Sequence, residues 1–207
     1  MSWKPIKPSI VAFDLGKVLV DFDYSRAGRG LAARASLPPA EIQTFLDHSP
    51  LLFRYETGKL SRQEFYETVC QHTGFRGSRE EFAVLFADIF TEISEMTALH
   101  SALRERGIPT YIFSNTNDLA IEHIRRNFAF FAHFDGYIFS YEVGAMKPEA
   151  KIYEALETLT GKRGTEILYL DDRAENVAAG AARGWQTLLQ TEPSRSRAEM
   201  ERLGLLD

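Results

Sequence analysis

The chain is predicted to fold as a doubly wound α/β protein, a parallel sheet with helices on both faces, carrying one helical insert. Three observations lead there. Four short runs are hydrophobic almost without alternation, namely residues 10–13, 110–113, 136–139 and 167–170, as strands buried on both faces of a parallel sheet are. Helical patterns alternate with the later runs, the order expected of βα units. The interval between the first run and the rest holds several helix starts and no convincing strand.

In chain order, Ile10-Val11-Ala12-Phe13 is the first strand, closed by Asp14. Within the interval, Pro38-Pro39 precedes Ile42, Phe45 and Leu46. Ser61 to Glu64 and Ser78 to Glu81 each fit the capping box, a Ser answered three residues later by Glu. Phe82, Leu85, Phe86, Ile89 and Phe90 then form an i, i+3, i+4, i+7, i+8 stripe, expected to be core of the insert or a patch against a second subunit. Met96, Leu99 and Leu103 predict a helix that Gly107 stops. Thr110 to Phe113, Gly136 to Phe139 and Ile167 to Leu170 are the next strands, and Thr187-Leu188-Leu189 is a weaker fifth. Pro148 is expected at the first position of a helix carrying Ile152, Tyr153, Leu156 and Leu159 and closed by Gly161. A further helix, residues 174–183, precedes Gly184. The predicted domains are a core of residues 1–20 and 94–207 and an insert of residues 21–93.

The 207 residues are 44% hydrophobic and 12% aromatic, ordinary for a globular protein. Lys and Arg number 24 against 29 Asp and Glu, a formal charge of −5, which argues against nucleic-acid or anionic-membrane partners. The apolar runs are far short of the ~20 residues a membrane helix needs. Asp14 ends the N-terminal apolar run before a signal-peptide core forms. Cys70, the single cysteine, cannot make an intrachain disulfide and is expected in the core of the insert. A cytoplasmic protein is expected.

Ligands of open parallel sheets bind at the carboxyl ends of the strands, so the residues there carry the chemistry. Asp14 follows the first strand, Ser114 and Asn115 the second, and Asp171 and Asp172 the fourth; Lys147 follows the third, before Pro148. A carboxylate can attack phosphorus to form an acyl phosphate that water reopens. A lysine and backbone N–H donors can hold the phosphoryl group. Paired acids suit Mg²⁺, which lets an anionic nucleophile approach an anionic substrate. His48, His72, His100, His123 and His133 have no zinc-site spacing.

These motifs, in this order, resemble those of the haloacid dehalogenase (HAD) superfamily: Phe13-Asp14-Leu15-Gly16, Phe113-Ser114-Asn115, Met146-Lys147-Pro148 and Leu170-Asp171-Asp172, continuing to Asn176. The chain is most similar to its sugar-phosphatase-like branch with an Asp-Leu-Gly first motif, related to the phosphatase domain of soluble epoxide hydrolases. The resemblance implies a Rossmann-like core with a helical cap, and a Mg²⁺-dependent phosphatase acting on a small phosphorylated metabolite as monomer or homodimer. It implies Asp14 as nucleophile and metal ligand, Gly16 as a ligand through its backbone carbonyl, and Asp172 with Asp171 as acidic metal ligands. Ser114 and the Asn115 backbone N–H would bind the phosphoryl group, and Lys147, oriented by Asp171, would neutralise nucleophile and phosphate.

One departure matters. Most phosphatases of the superfamily carry a second Asp where this chain has Gly16, serving as general acid and base, help worth ~10²–10⁴ in rate. The absence favours substrates whose leaving oxygen needs little protonation, such as anomeric sugar phosphates, acyl phosphates or aryl phosphates. Asp21 and Asp23 are the nearest acids, both expected at the exposed start of the insert. Lys17 is expected to face solvent. Arg54, Tyr55 and Glu56 precede Gly58 and are candidates for substrate specificity, with an ordinary polar helix end as the simpler alternative. Two other functions fit the motifs: a metal-free dehalogenase-like hydrolase, against which Asp171-Asp172 counts, and a catalytically silent phosphometabolite binder, for which Gly16 speaks.

Overall fold

A computed structural model describes residues 6–207 except His48; the predicted core boundary at Met1 and the His48 position lie outside it. The strands among the described residues are β1 Ile10–Phe13, β2 Val20–Phe22, β3 Phe90–Glu92, β4 Thr110–Ser114, β5 Gly136–Phe139, β6 Ile167–Asp171 and β7 Gln186–Leu189. Five of them form one parallel sheet in the order β5-β4-β1-β6-β7.

The continuous hydrophobicity of β1 has the expected cause. Val11 and Phe13 pack on one face with Met96, Leu99, Leu103 and Leu170. Ile10 and Ala12 pack on the other with Phe113, Tyr153, Tyr169 and Trp185. Successive side chains thus enter two cores, each large residue contributing roughly 1.5–3 kcal/mol by leaving water. Register also fixes where the chemistry emerges. Phe13 lies opposite Ile112 of β4 and Leu170 of β6, so the three strands end within two residues of one another. Asp14, Ser114 and Asp171 therefore share an edge.

The helices Ser94–Glu105, Asp118–Asn127, Ala150–Thr160, Ala174–Ala182 and Pro193–Arg202 accompany the sheet. The glycine stops behave as expected at Gly107 and Gly161, both in the left-handed region at φ 69° and 65°. Pro148 does not open a helix: it sits in a turn after a cis peptide bond with Lys147, and Glu149 precedes the helix from Ala150.

Between β2 and β3 lie the helices Tyr24–Ala32, Pro39–Leu46, Pro50–Glu56, Arg62–Thr73 and Arg79–Ala87. Both capping boxes are formed, with Ser61 and Glu64, and Ser78 and Glu81, satisfying each other's backbone N–H groups. Tyr24, Leu31, Ile42, Leu52, Phe65, Phe82 and Phe86 make a separate buried cluster, against which half-buried Cys70 packs. The interval does contain strand, contrary to expectation: β2 and β3 pair antiparallel, Phe22 opposite Phe90. The apolar stripe ends its helical course at Ala87, so Ile89 falls in the turn and Phe90 in β3.

Candidate active site

Asp14, the first residue beyond β1, is buried, and its Oδ1 accepts the Leu15 backbone N–H at 2.7 Å. Lys147 reaches the same point from the turn after β5. Its Nζ lies 2.9 Å from Asp14 Oδ1 and 2.6 Å from Asp171 Oδ2, and it donates to the Phe113 carbonyl at 2.9 Å. Ser114 is buried at the end of β4. The side chain of the next residue, Asn115, grips the Lys147 backbone on both sides: Oδ1 accepts its N–H at 2.8 Å, and Nδ2 donates to its carbonyl at 3.0 Å.

Asp171 is held from every side. Its oxygens accept from Lys147, the Tyr169 hydroxyl, the Arg173 backbone N–H and the Asn176 amide. Its burial opposes ionisation, but the Lys147 ammonium outweighs that and holds its carboxyl below the ordinary range. Lys147 is likewise kept protonated by the two carboxylates against its burial. Burial pushes the Asp14 carboxyl up to about 8, opposed by Lys147 and reinforced by Asp171 and Asp172. Burial and Asp171 also raise Asp172.

One carboxylate oxygen from each of Asp14, Asp171 and Asp172 lies within 4.8 Å of the others. Three buried or half-buried acids against one lysine leave an excess of negative charge, and hard oxygen donors at this spacing fit a divalent cation. Asp14, Gly16 and Asp172 line the adjoining cavity, of about 670 Å³, while Asp171 is fully buried outside its lining.

The far wall of that cavity comes from the insert and the strands that lead to it. Ser49, Leu52, Phe53 and Glu56 line it, together with Phe22, Tyr24, Phe90, Thr116 and Asn117. The three specificity candidates thus part company. Arg54 is exposed; Tyr55 is buried and donates to Asp118; Glu56 lines the cavity. Lys17 is exposed, as expected, and also lines the cavity, with its Nζ held by Asp21 and placed 4.6 Å from the Phe22 ring centre. Asp21 is bound to Lys17, and Asp23 caps the helix Tyr24–Ala32 through Ser25; neither lines the cavity. Sequence reasoning missed Tyr169, Asn117, Phe22 and the Asn115 side chain. The position of Tyr169, two residues before Asp171 on one strand face, was a signal available for the first.

A model of the haloacid dehalogenase-like hydrolases matches residues 8–184. The chain belongs to this family. Among HAD relatives, a D-ribitol-5-phosphate phosphatase of Bacteroides thetaiotaomicron is 26% identical over 199 residues, 92% of this chain and 95% of that protein. A sesquiterpene phosphatase of Aspergillus oryzae is 26% identical over 72% of this chain and 77% of its own length. A bifunctional epoxide hydrolase of Rattus norvegicus matches at 36%, over only 34% of this chain and 13% of its own length. Among solved structures, a HAD family enzyme of Bacteroides thetaiotaomicron in complex with magnesium and inorganic phosphate superposes with a TM-score of 0.77, at 22% identity, over 90% of this chain and 94% of that one. The L-2-haloacid dehalogenase of Xanthobacter autotrophicus superposes at 0.62 and 16% identity, over 92% of this chain and 81% of that one. These structural likenesses establish the shared fold.

Proposed function

We propose that the chain is a Mg²⁺-dependent phosphatase that hydrolyses small phosphomonoesters through an aspartyl-phosphate on Asp14. The observation that carries this reading is the buried Asp14–Lys147–Asp171 chain, with Lys147 Nζ 2.9 and 2.6 Å from the two carboxylates, opening on a cavity lined by Ser114 and Asp172. Asp14 attacks phosphorus as the bond to the leaving oxygen breaks; water then attacks the same phosphorus and frees the carboxylate. Ser114 and the Asn115 N–H hold phosphoryl oxygens, and Lys147 offsets their charge.

Asp14, the Gly16 carbonyl and Asp172 would hold Mg²⁺, which would neutralise phosphate charge so that an anionic nucleophile can approach. Asp171, which the resemblance also offers to the metal and whose oxygen lies within 4.8 Å of those of Asp14 and Asp172, orients Lys147 through its 2.6 Å contact. The insert, which we place at residues 21–93, acts as a cap that covers the substrate and selects it. With Gly16 beside the nucleophile, a sugar phosphate whose leaving oxygen needs little protonation suits the site. Support for the activity also comes from the names of the two phosphatases and from the magnesium–phosphate complex of the similar structure.

The test is hydrolysis of an aryl phosphate with Mg²⁺, with a chelator, and by Asp14→Asn. Turnover that requires both metal and Asp14 is expected. Activity that survives the chelator would overturn the metal-dependent mechanism, and absence of turnover throughout would favour a silent binder.

A further inference from the structure

Glu56 is the last residue of the helix Pro50–Glu56, which presents Leu52, Phe53 and Glu56 to the cavity along one face, beginning from its capping residue Ser49. Helical spacing of three and four residues places such side chains together. Several acidic residues have visible structural duties: Glu64 and Glu81 close capping boxes, Asp118 binds Tyr55 and Arg62, and Glu157 binds Arg183 and Trp185. Glu56 makes no ion pair among the described residues. Asn117 stands on the same wall, its amide favouring the charged form of Glu56, while the Asn117 Oδ1 caps the helix Asp118–Asn127 by accepting the Ala120 N–H at 3.0 Å. Asn117 is itself buried and lines the same wall.

Glu56 is half-buried, and a carboxylate partly withdrawn from water without a cation beside it carries a desolvation cost. Burial pushes the Glu56 carboxyl up to about 7, where it can both donate and accept. Around it the wall is apolar and aromatic, with Phe22, Leu52, Phe53, Ile89 and Phe90; Phe53 is 48% exposed. Apolar walls with a few placed polar groups are how pockets fix a small ligand. Aromatic faces suit the C–H surface of a sugar or polyol, and a carboxylate beside an amide suits its neighbouring hydroxyls.

We propose that Glu56, on the cavity wall with Asn117, hydrogen-bonds the hydroxyl groups of a polyhydroxylated substrate body, and so is the residue by which the cap selects sugar or polyol phosphates. This rests on the phosphatase reading for the position of the phosphate end.

Binding separates the two. Calorimetric titrations use the Asp14→Asn protein, which removes turnover, with Glu56 intact or changed to Ala or Gln. The ligands are glucose 1-phosphate and ribitol 5-phosphate against cyclohexyl and pentyl phosphates, which match their size and lack hydroxyls. Glu56→Ala is expected to weaken binding of at least one hydroxylated ligand roughly 10–100-fold, the loss typical of a hydrogen bond to a charged group. The hydroxyl-free ligands should change less than about threefold, and Glu56→Gln, which keeps shape and polarity, should retain part of the preference. Equal weakening of both ligand classes, no weakening, or no binding of either hydroxylated ligand while Glu56 is intact would overturn the proposal. In the Asp14-intact enzyme, a kcat loss shared by cyclohexyl phosphate and glucose 1-phosphate at unchanged KM would also overturn it, since that marks a proton donor. Failure of the wild-type protein to turn over any phosphate would sink the phosphatase reading and leave the binding result standing.

Discussion

The Phe22 ring occupies the space into which a side chain on Gly16 would project: a Cβ there would stand 2.9 Å from Phe22 Cε1. The ring is not free to leave. It meets Tyr24 and Phe90 edge-on at 5.9 and 6.4 Å and carries the Lys17 ammonium. Gly16→Asp alone should therefore destabilise the protein by about 1–3 kcal/mol through overpacking without improving turnover of alkyl phosphates. Paired with Phe22→Leu, the new carboxyl gains room, and kcat/KM for alkyl relative to aryl phosphate should rise at least about tenfold, the lower reach of general acid catalysis. The two ratios, measured side by side, check this.

Lys147 stands between two buried acids. Lys147→Met should abolish measurable turnover and cost roughly 3–5 kcal/mol in urea unfolding, because Asp14 and Asp171 would remain buried without their cation. A variant of unchanged stability would show that the ion pairs matter less than their geometry suggests.

The Asn115 side chain touches the Lys147 backbone at both its N–H and its carbonyl. Asn115→Ala leaves every charged group in place, so its expected effect is on position: kcat falls about 10–100-fold, as small misplacements at a reacting centre do, while Mg²⁺ affinity stays within about threefold. Steady-state kinetics with a metal titration separate the two.

Mg²⁺ should raise stability by binding the folded state alone, by about 2.7 kcal/mol at a hundredfold excess over its Kd. Thermal unfolding with and without the metal measures this. Asp172→Asn should remove most of the gain while folding normally, since Asp172 is only half-buried and lines the cavity.

Two groups, one buried and one half-buried, set opposite pH limits on stability. Burial pushes His100, stacked on Phe134 at 3.8 Å, down from 6.5 to about 4. The unfolded chain takes up that proton first, so the contribution is present above pH 6.5 and is lost as pH falls toward 4. Glu56 is raised from 4.5 to about 7; the folded state holds its proton longer, so stability declines as pH rises from 4.5 to 7. Each window is worth on the order of 1–3 kcal/mol. Urea unfolding across pH should show His100→Phe flattening the acid side and Glu56→Gln flattening the neutral side.

The sheet was readable because buried parallel strands carry their signature in every residue: β1 and β5 fall at the residues expected, and β4 and β6 extend one further, onto Ser114 and Asp171. β2 and β3 escaped because three residues are too few for a pattern, and because Phe90 extends a helical stripe that the backbone abandons at Ala87. Pro148 misled through its preference for helix starts, a local rule overridden by the turn that delivers Lys147. At the strand ends, Asp14, Ser114, Lys147 and Asp171 were legible since topology alone brings them to one edge. The opposite wall was not. Whether Arg54, Tyr55 or Glu56 meets the cavity depends on how a seven-residue helix is rotated against the core, which is decided by Tyr55 reaching Asp118 and not by any local preference.

The antiparallel pairing of Phe22 with Phe90 has a consequence for ancestry. Paired Cα atoms in such a ribbon lie only about 4.5–5.5 Å apart, so the core meets the whole excursion as a loop whose ends already touch. Domain insertions are tolerated where entry and exit adjoin. A different module could be spliced between these two phenylalanines, larger or smaller, while the parallel sheet and its edge of charged residues stayed intact. The chain is organised so that the charged sheet edge can be inherited while the module facing it is exchanged.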